Sequence, residues 1–209
     1  MEFPEPLIRG ERLLLAAFLA SLGAVSWLES RSDLAAALRE GRPWPVWTAL
    51  ASPDGPPRLY LALYQPARRS LDVVYFPPQT RLETGRTLAQ VYADGLGEDG
   101  DEAGAAKDMA DEAQRAVGAL LPQPQKGVPD FYYNGEPVAE KDPALAAKAW
   151  FERAGRSPTF WLSRQRARST LSLYDRFRAW VELRGLKPGA LRPAWLHPAT
   201  TALWNSLSR

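Results

Sequence analysis

Three arginines alternate with other residues at Arg164, Arg166 and Arg168, and two more, Arg81 and Arg86, bracket a short stretch in the first half of the chain. A guanidinium grips phosphate or carboxylate oxygens through paired N–H donors. If residues 159–168 form a strand, the three alternating arginines share one face and make an anion clamp, which Arg81 and Arg86 could join. If the same residues form a helix, the three scatter, and a solvated basic edge is the competing reading. Charge is segregated on a larger scale too. Residues 148–192 hold 11 basic against 3 acidic side chains, and residues 83–142 hold 13 acidic against 5 basic. Either the two blocks attract each other across the fold, or the basic one meets a phosphate, a lipid headgroup or a polyanion.

Other chemistry has little to work with. The chain lacks cysteine, which excludes disulfides, a thiol nucleophile and cysteine-ligated metals. Its one histidine, His197, stands between Leu196 and Pro198 without a ligand-spaced partner and reads as a surface or capping residue. No nucleophile elbow, P-loop, dinucleotide-binding glycine motif or zinc-protease motif occurs. The acidic loop 94–102 (DGLGEDGDE) departs from the calcium-loop order and reads as solvated. The expectation is therefore no catalytic residue, no metal ligand and no cofactor.

The elements that must position the arginines centre on a hairpin. Residues 59–64 and 71–76 are two apolar runs of β-formers, joined by a polar connector with Pro66 and followed by Pro77-Pro78. Both faces of these runs are apolar, so layers must cover each side of the sheet. Residues 77–87, leaving the second run, are the expected edge of any site. Residues 46–51 read as a first strand, 129–133 as a brief strand and 191–196 as another. Helices are expected at 32–40 with Ser32 as N-cap, at 87–93, and at 105–121 with a core stripe of Met109, Ala113, Ala116, Val117, Leu120 and Leu121 against polar Asp108, Asp111, Glu112 and Arg115. Further helices are expected at 143–154, ended by Gly155, at 173–183, with Leu173, Phe177, Trp180 and Val181 on one face and Arg176, Arg178 and Arg184 off that face, and at 199–206.

Ahead of all this, residues 13–28 (LLLAAFLASLGAVSWL) carry no charge. Leu13, Leu14, Leu15, Phe18, Leu19, Leu22, Val25, Trp27 and Leu28 make a short membrane anchor, with Trp27 at the interface. A cleaved signal peptide lacks a clean cleavage site after the run, and a buried or partner-binding helix is the third reading. Arg9 and Arg12 with a tiny tail place the N-terminus inside, although Arg31, Arg39 and Arg42 lie on the other side. The domains expected are a cytoplasmic tail (1–12), the anchor (13–28), a juxtamembrane helix and linker (29–45) and an extracytoplasmic domain (46–209).

The run RLYLALYQPARRSLDVVYFPPQTRL resembles the central hairpin of LytR-CpsA-Psr (LCP) domains, in which two strands lead into a signature close to S-I-P-R-D-T. Here that position reads Tyr75-Phe76-Pro77-Pro78-Gln79-Thr80. The segment 86–95 and the helix 105–121 stand where the family has a K-I-N-x-A-Y segment and its following helix. The resemblance covers roughly 46–122 and implies a mixed α/β sheet covered by helices, shortened relative to the family. It also implies a phosphotransferase that moves polyprenyl-pyrophosphate-linked glycopolymers onto peptidoglycan, with the isoprenoid tail inside the domain, arginines on the pyrophosphate and aspartates on Mg²⁺. The signature Arg and Asp are replaced by Pro78 and Gln79, and Pro57-Arg58-Leu59 stands where an Asp precedes the first strand. Gln cannot neutralise a metal, and phosphoryl transfer depends on that charge stabilisation. The expectation is a degenerate, non-catalytic LCP-like domain. It would sit in the membrane as a binding or scaffold subunit of an envelope complex, with a protein partner, an anionic lipid or a glycopolymer, and no nucleic acid. The alternative is an active transferase in which Arg81, Arg86 and the Arg164–Arg166–Arg168 group stand in.

Overall fold

The computed structural model describes residues 9–52, 55–82, 84–98, 100–117, 128–135, 140–187 and 189–195. The tail before residue 9, Leu120, Leu121, His197 and the helix expected at 199–206 lie outside the described residues. Among the described residues six strands, β1 (Trp44–Ser52), β2 (Gly55–Gln65), β3 (Ser70–Phe76), β4 (Asp130–Tyr133), β5 (Ala167–Ser169) and β6 (Leu191–Trp195), form one mixed sheet ordered β5-β4-β1-β2-β3-β6. The inner three are antiparallel; β4 runs parallel to β1, and β6 parallel to β3. The helices are α1 (Arg9–Arg31), α2 (Asp33–Glu40), α3 (Leu88–Leu96), α4 (Glu102–Val117), α5 (Pro143–Arg156), α6 (Thr159–Leu162) and α7 (Leu173–Arg184).

The hairpin is central, as its two apolar faces require. Trp44, Val46, Tyr60, Ala62, Tyr64, Leu71 and Val73 turn to one side, where α2, α5, α6 and α7 cover them. Trp47, Leu59, Leu61, Val74 and Phe76 turn to the other, beneath α3 and α4. Alternation along each strand makes both layers, since successive side chains point to opposite faces.

Helix α1 is longer than the uncharged run that nucleates it. Its window Leu13–Arg31 is long and apolar enough to cross a membrane, and none of it is buried in the protein. Leu14 is 73% and Phe18 59% exposed among the described residues.

Three expectations change. The segment 29–45, read as juxtamembrane helix and linker, is built into the domain: Leu34, Ala35 and Ala37 are fully buried, and Trp44 and Pro45 already pair with β2. The Ser32 cap that starts α2 also binds Asp175 of α7, which ties this helix to the core. Gly155 does not end α5 but lies inside it, one residue before its end at Arg156, where a Cβ would come within 3.2 Å of the Leu183 carbonyl at the contact of α5 with α7. The stripe of α4 is rotated: Ala105, Ala106, Met109, Ala110, Ala113 and Val117 are buried, Ala116 is exposed, and Glu112 is buried. The apolar face expected on α7 is turned outward. Leu173, Phe177 and Val181 face outward, while Asp175, Arg176 and Ala179 face the core.

Candidate functional site

The stretch matched to the LCP signature leaves β3 at Phe76 and folds back at once. Thr80 N donates to Pro77 O (2.9 Å), Leu82 N to Arg86 O (2.9 Å) and Gly85 N to Leu82 O (2.9 Å). Arg81 and Thr87 bridge as an isolated antiparallel pair, and Leu82 is buried beneath the turn. Gly85 takes a φ of +80°, open to glycine and strained for other residues.

This turn feeds its carbonyls into the start of α3. Leu88 N donates to Thr80 O (3.2 Å), Ala89 N to Pro78 O (2.8 Å) and Gln90 N to Thr87 Oγ1 (3.3 Å). The Gln90 side chain accepts from Thr87 N (2.8 Å), completing a capping box. A helix N-terminus holds a phosphate by offering these same amides. Here Pro78, Thr80 and Thr87 have taken them.

The five candidate arginines do not converge. Arg81 is exposed and forms no ion pair among the described residues. Arg86 is committed to Asp94 (3.2 Å) and to Glu112 (3.3 Å), whose carboxylate also accepts from Arg115 at 2.8 Å. Residues 159–168 form neither the strand nor the helix considered from sequence, but the short α6, a turn, and then β5. Arg164 and Arg166 lie in the turn and only Arg168 in the strand, so the three do not share a strand face. Arg168 binds Asp101 at 2.9 Å. Phe76, Leu59, Ala49, Tyr132 and Arg168 lie on one rung of the sheet. That sets Arg168 four strand spacings, about 19 Å, from the end of β3. Along α4, Glu102 beside Arg168 and Glu112 beside Arg86 are about 15 Å apart at 1.5 Å per residue.

Arg166 and Arg168 line an open depression of about 220 Å³ with Asp101, Glu102, Tyr132 and Asn134. Two cations face two carboxylates there, which leaves little net field for an anion. The Tyr132 hydroxyl donates to Glu102 at 2.7 Å. Burial, and then this bond to a carboxylate, push its pKa well above the usual tyrosine range.

The interior on the α5–α7 side is filled with aromatic rings. Phe131 packs on Trp161 (4.7 Å between centroids), Tyr133 stacks on Phe160 (5.3 Å), and Trp150 meets Phe151 edge-on (4.8 Å). The slit left between Trp44, Tyr64, Leu71, Phe151 and Leu183 measures about 20 Å³, room for about one water. An isoprenoid tail does not fit this interior as it is packed. The signature stretch offers Mg²⁺ no carboxylate, and among the described residues no three of His, Asp or Glu gather where a metal could bind.

Three arrangements escaped the sequence reading. Arg192 grips Asp72 through Nε (2.6 Å) and Nη2 (3.0 Å) and also reaches Ser70, clamping β6 to β3. The one signal was an aspartate inside an apolar strand. Glu112 is a buried anion between two arginines, foreshadowed only by Arg115 three residues on. Arg176 is buried over the Phe131 ring (5.7 Å), with Nε and Nη2 lacking hydrogen-bond partners among the described residues. Burial, and then nearby Arg164, lower its pKa.

No protein-family model and no curated protein matches the sequence. Solved structures do match. A transcriptional regulator from Enterococcus faecalis superposes with a TM-score of 0.50 at 7% identity, over 77% of this chain and 78% of that one. TagV from B. subtilis gives 0.46 at 9% identity, over 75% and 85%. TagT bound to LIIa-WTA gives 0.45 at 11% identity, over 73% and 78%. At such identity the likeness to the first speaks for the fold alone.

Proposed function

We propose that the chain is a membrane-anchored, extracytoplasmic LCP-like domain that does not catalyse phosphoryl transfer and serves as a binding or scaffold subunit of an envelope complex. One observation carries the reading. The turn 77–87 satisfies the amides at the start of α3 with its own carbonyls, and no charge stands at Pro78 or Gln79. A transferase must stabilise charge on the moving phosphoryl group. Helix α1, exposed along its apolar window, supplies the anchor in this reading.

Titration calorimetry of the full chain in detergent micelles with polyprenyl diphosphate tests it. The expected result is the same weak heat with Mg²⁺ and with EDTA. Saturable, Mg²⁺-dependent binding in the micromolar range overturns it. Protease accessibility of a C-terminal tag in intact spheroplasts tests the topology, with cleavage expected; protection would put the domain in the cytoplasm.

A second reading is the transferase that ligates polyprenyl-pyrophosphate-linked glycopolymer to peptidoglycan. Arg81 favours it, being an exposed cation with no ion-pair partner among the described residues, three positions past Pro78. On that reading Arg81→Ala abolishes ligation of the polymer by membranes; unchanged ligation removes it.

A further inference from the structure

Helix α7 turns its apolar residues away from the core. Leu173 is 56%, Phe177 43% and Val181 37% exposed, and the four-residue spacing makes them one stripe. The Phe177 ring packs on the half-buried Trp180 at 5.6 Å. Tyr174 and Arg178, about 100° further round the helix, reach the end of α1. The Tyr174 hydroxyl bonds Glu29, and Arg178 lies 3.6 Å from the same carboxylate. The stripe therefore begins beside the residues where the candidate span ends.

At its other end the stripe runs into a groove of about 510 Å³ between α5 and the loop after α7. Lys148, Arg156, Arg184 and Lys187 line it, against the single carboxylate of Glu152. Among the described residues none of the four cations forms an ion pair; Arg184 instead stacks over Trp180 at 5.7 Å. The groove lies at the Leu71–Leu191 end of β3, opposite the signature turn, so it is separate from the stretch considered above.

We propose that α7 is an interfacial helix: Leu173, Phe177 and Val181 dip into an anionic bilayer next to the exit of α1, with Lys148, Arg156, Arg184 and Lys187 over the headgroups. This rests on the membrane-anchor reading. Helices with an apolar face and flanking cations lie in the plane of the headgroup boundary, and each cation held near an anionic leaflet adds attraction. The argument for a bilayer over a protein is position. The surface beside the end of a span is the membrane it leaves, and the cations lie past the far end of the stripe, Arg184 on α7 and the others on α5 and the loop after α7.

The chain has no cysteine, so single cysteines report cleanly. The experiment attaches an environment-sensitive fluorophore at Phe177→Cys, at Leu19→Cys in α1 and at Ala93→Cys on the exposed side of α3. The full chain is reconstituted in vesicles of phosphatidylcholine and phosphatidylglycerol. Acyl-chain-borne quenchers are expected to quench the labels at 177 and 19 but not at 93. Replacing phosphatidylglycerol, or changing Lys148, Arg156, Arg184 and Lys187 together to Gln, is expected to weaken quenching at 177 at least fivefold while leaving 19 unchanged. Quenching at 19 with a water-exposed label at 177 overturns the interfacial helix and spares the anchor. Both labels in water overturn the anchor and the proposal together. A label at 177 shielded from lipid and water alike means a protein surface covers the stripe, and quenching at 177 indifferent to charge removes the anionic lipid; each of these also overturns the proposal.

Discussion

The two helical layers that sandwich the sheet follow opposite rules. On one face, α4 buries Ala105, Met109, Ala113 and Val117 and leaves Lys107 and Asp111 paired in solvent at 2.5 Å. On the other, α7 buries Asp175 and Arg176 and exposes Leu173, Phe177 and Val181. The inversion has local causes. Asp175 accepts from the hydroxyls of Ser32 and Ser172, so the caps of α2 and α7 share one buried carboxylate. Small Ala179, Ala154 and Gly155 let α7 approach α5 on that side. An apolar stripe settles against the core only when nothing fixes the helix rotation first, and here a buried polar hub fixes it.

The largest expected effect sits in the α4 layer. Met109 is fully buried, so Met109→Ala should lower unfolding free energy by about 2–5 kcal/mol, read from urea denaturation. A cost under about 1 kcal/mol would mean the layer is loosely packed and the contrast unreal.

Both layers are also pinned to the sheet by a tyrosine on a carboxylate, Tyr132 on Glu102 (2.7 Å) and Tyr64 on Glu182 (2.6 Å). Burial first, and the glutamate second, raise both pKa values in the folded state. Their contribution is fully present below the unfolded tyrosine value, about pH 10. It is lost as pH rises from there toward the folded value, by about 1.4 kcal/mol per pH unit for each tyrosine. Urea midpoints should fall between pH 10 and 11, and Tyr64→Phe and Tyr132→Phe should each flatten the fall by a similar share. If only one does, a single layer carries the linkage.

Arg176 exposes the cost of the inversion. Replacing it by Met removes buried donors that lack partners and gives up a ring contact with Phe131. The balance should raise stability by about 1 kcal/mol; a loss above that size would reveal an anion or water held by the guanidinium. The smallest effect should be at the stripe. Phe177→Ser in detergent should change stability by less than about 0.5 kcal/mol, whereas a loss comparable to Met109→Ala would place the residue in a core.

Much was legible because it is local. Ser32 caps the helix that follows it, and the alternation in residues 59–64 and 71–76 yields the central hairpin. The candidate site was legible only as residue types. That Arg86 would turn to Glu112 and Arg168 to Asp101 depends on where α4 lies over the sheet, which no spacing in the chain encodes.

By itself the sequence determined the strands other than β5, the cap of α2, the uncharged run of α1 and the absence of charge at Pro78 and Gln79, since each depends on neighbours a few residues away. Only the tertiary structure decided which arginines meet carboxylates, that aromatic rings fill the interior, and which side of α7 faces out. Those outcomes depend on contacts between segments far apart in the chain, where burial and pairing compete and one shared carboxylate can rotate a helix.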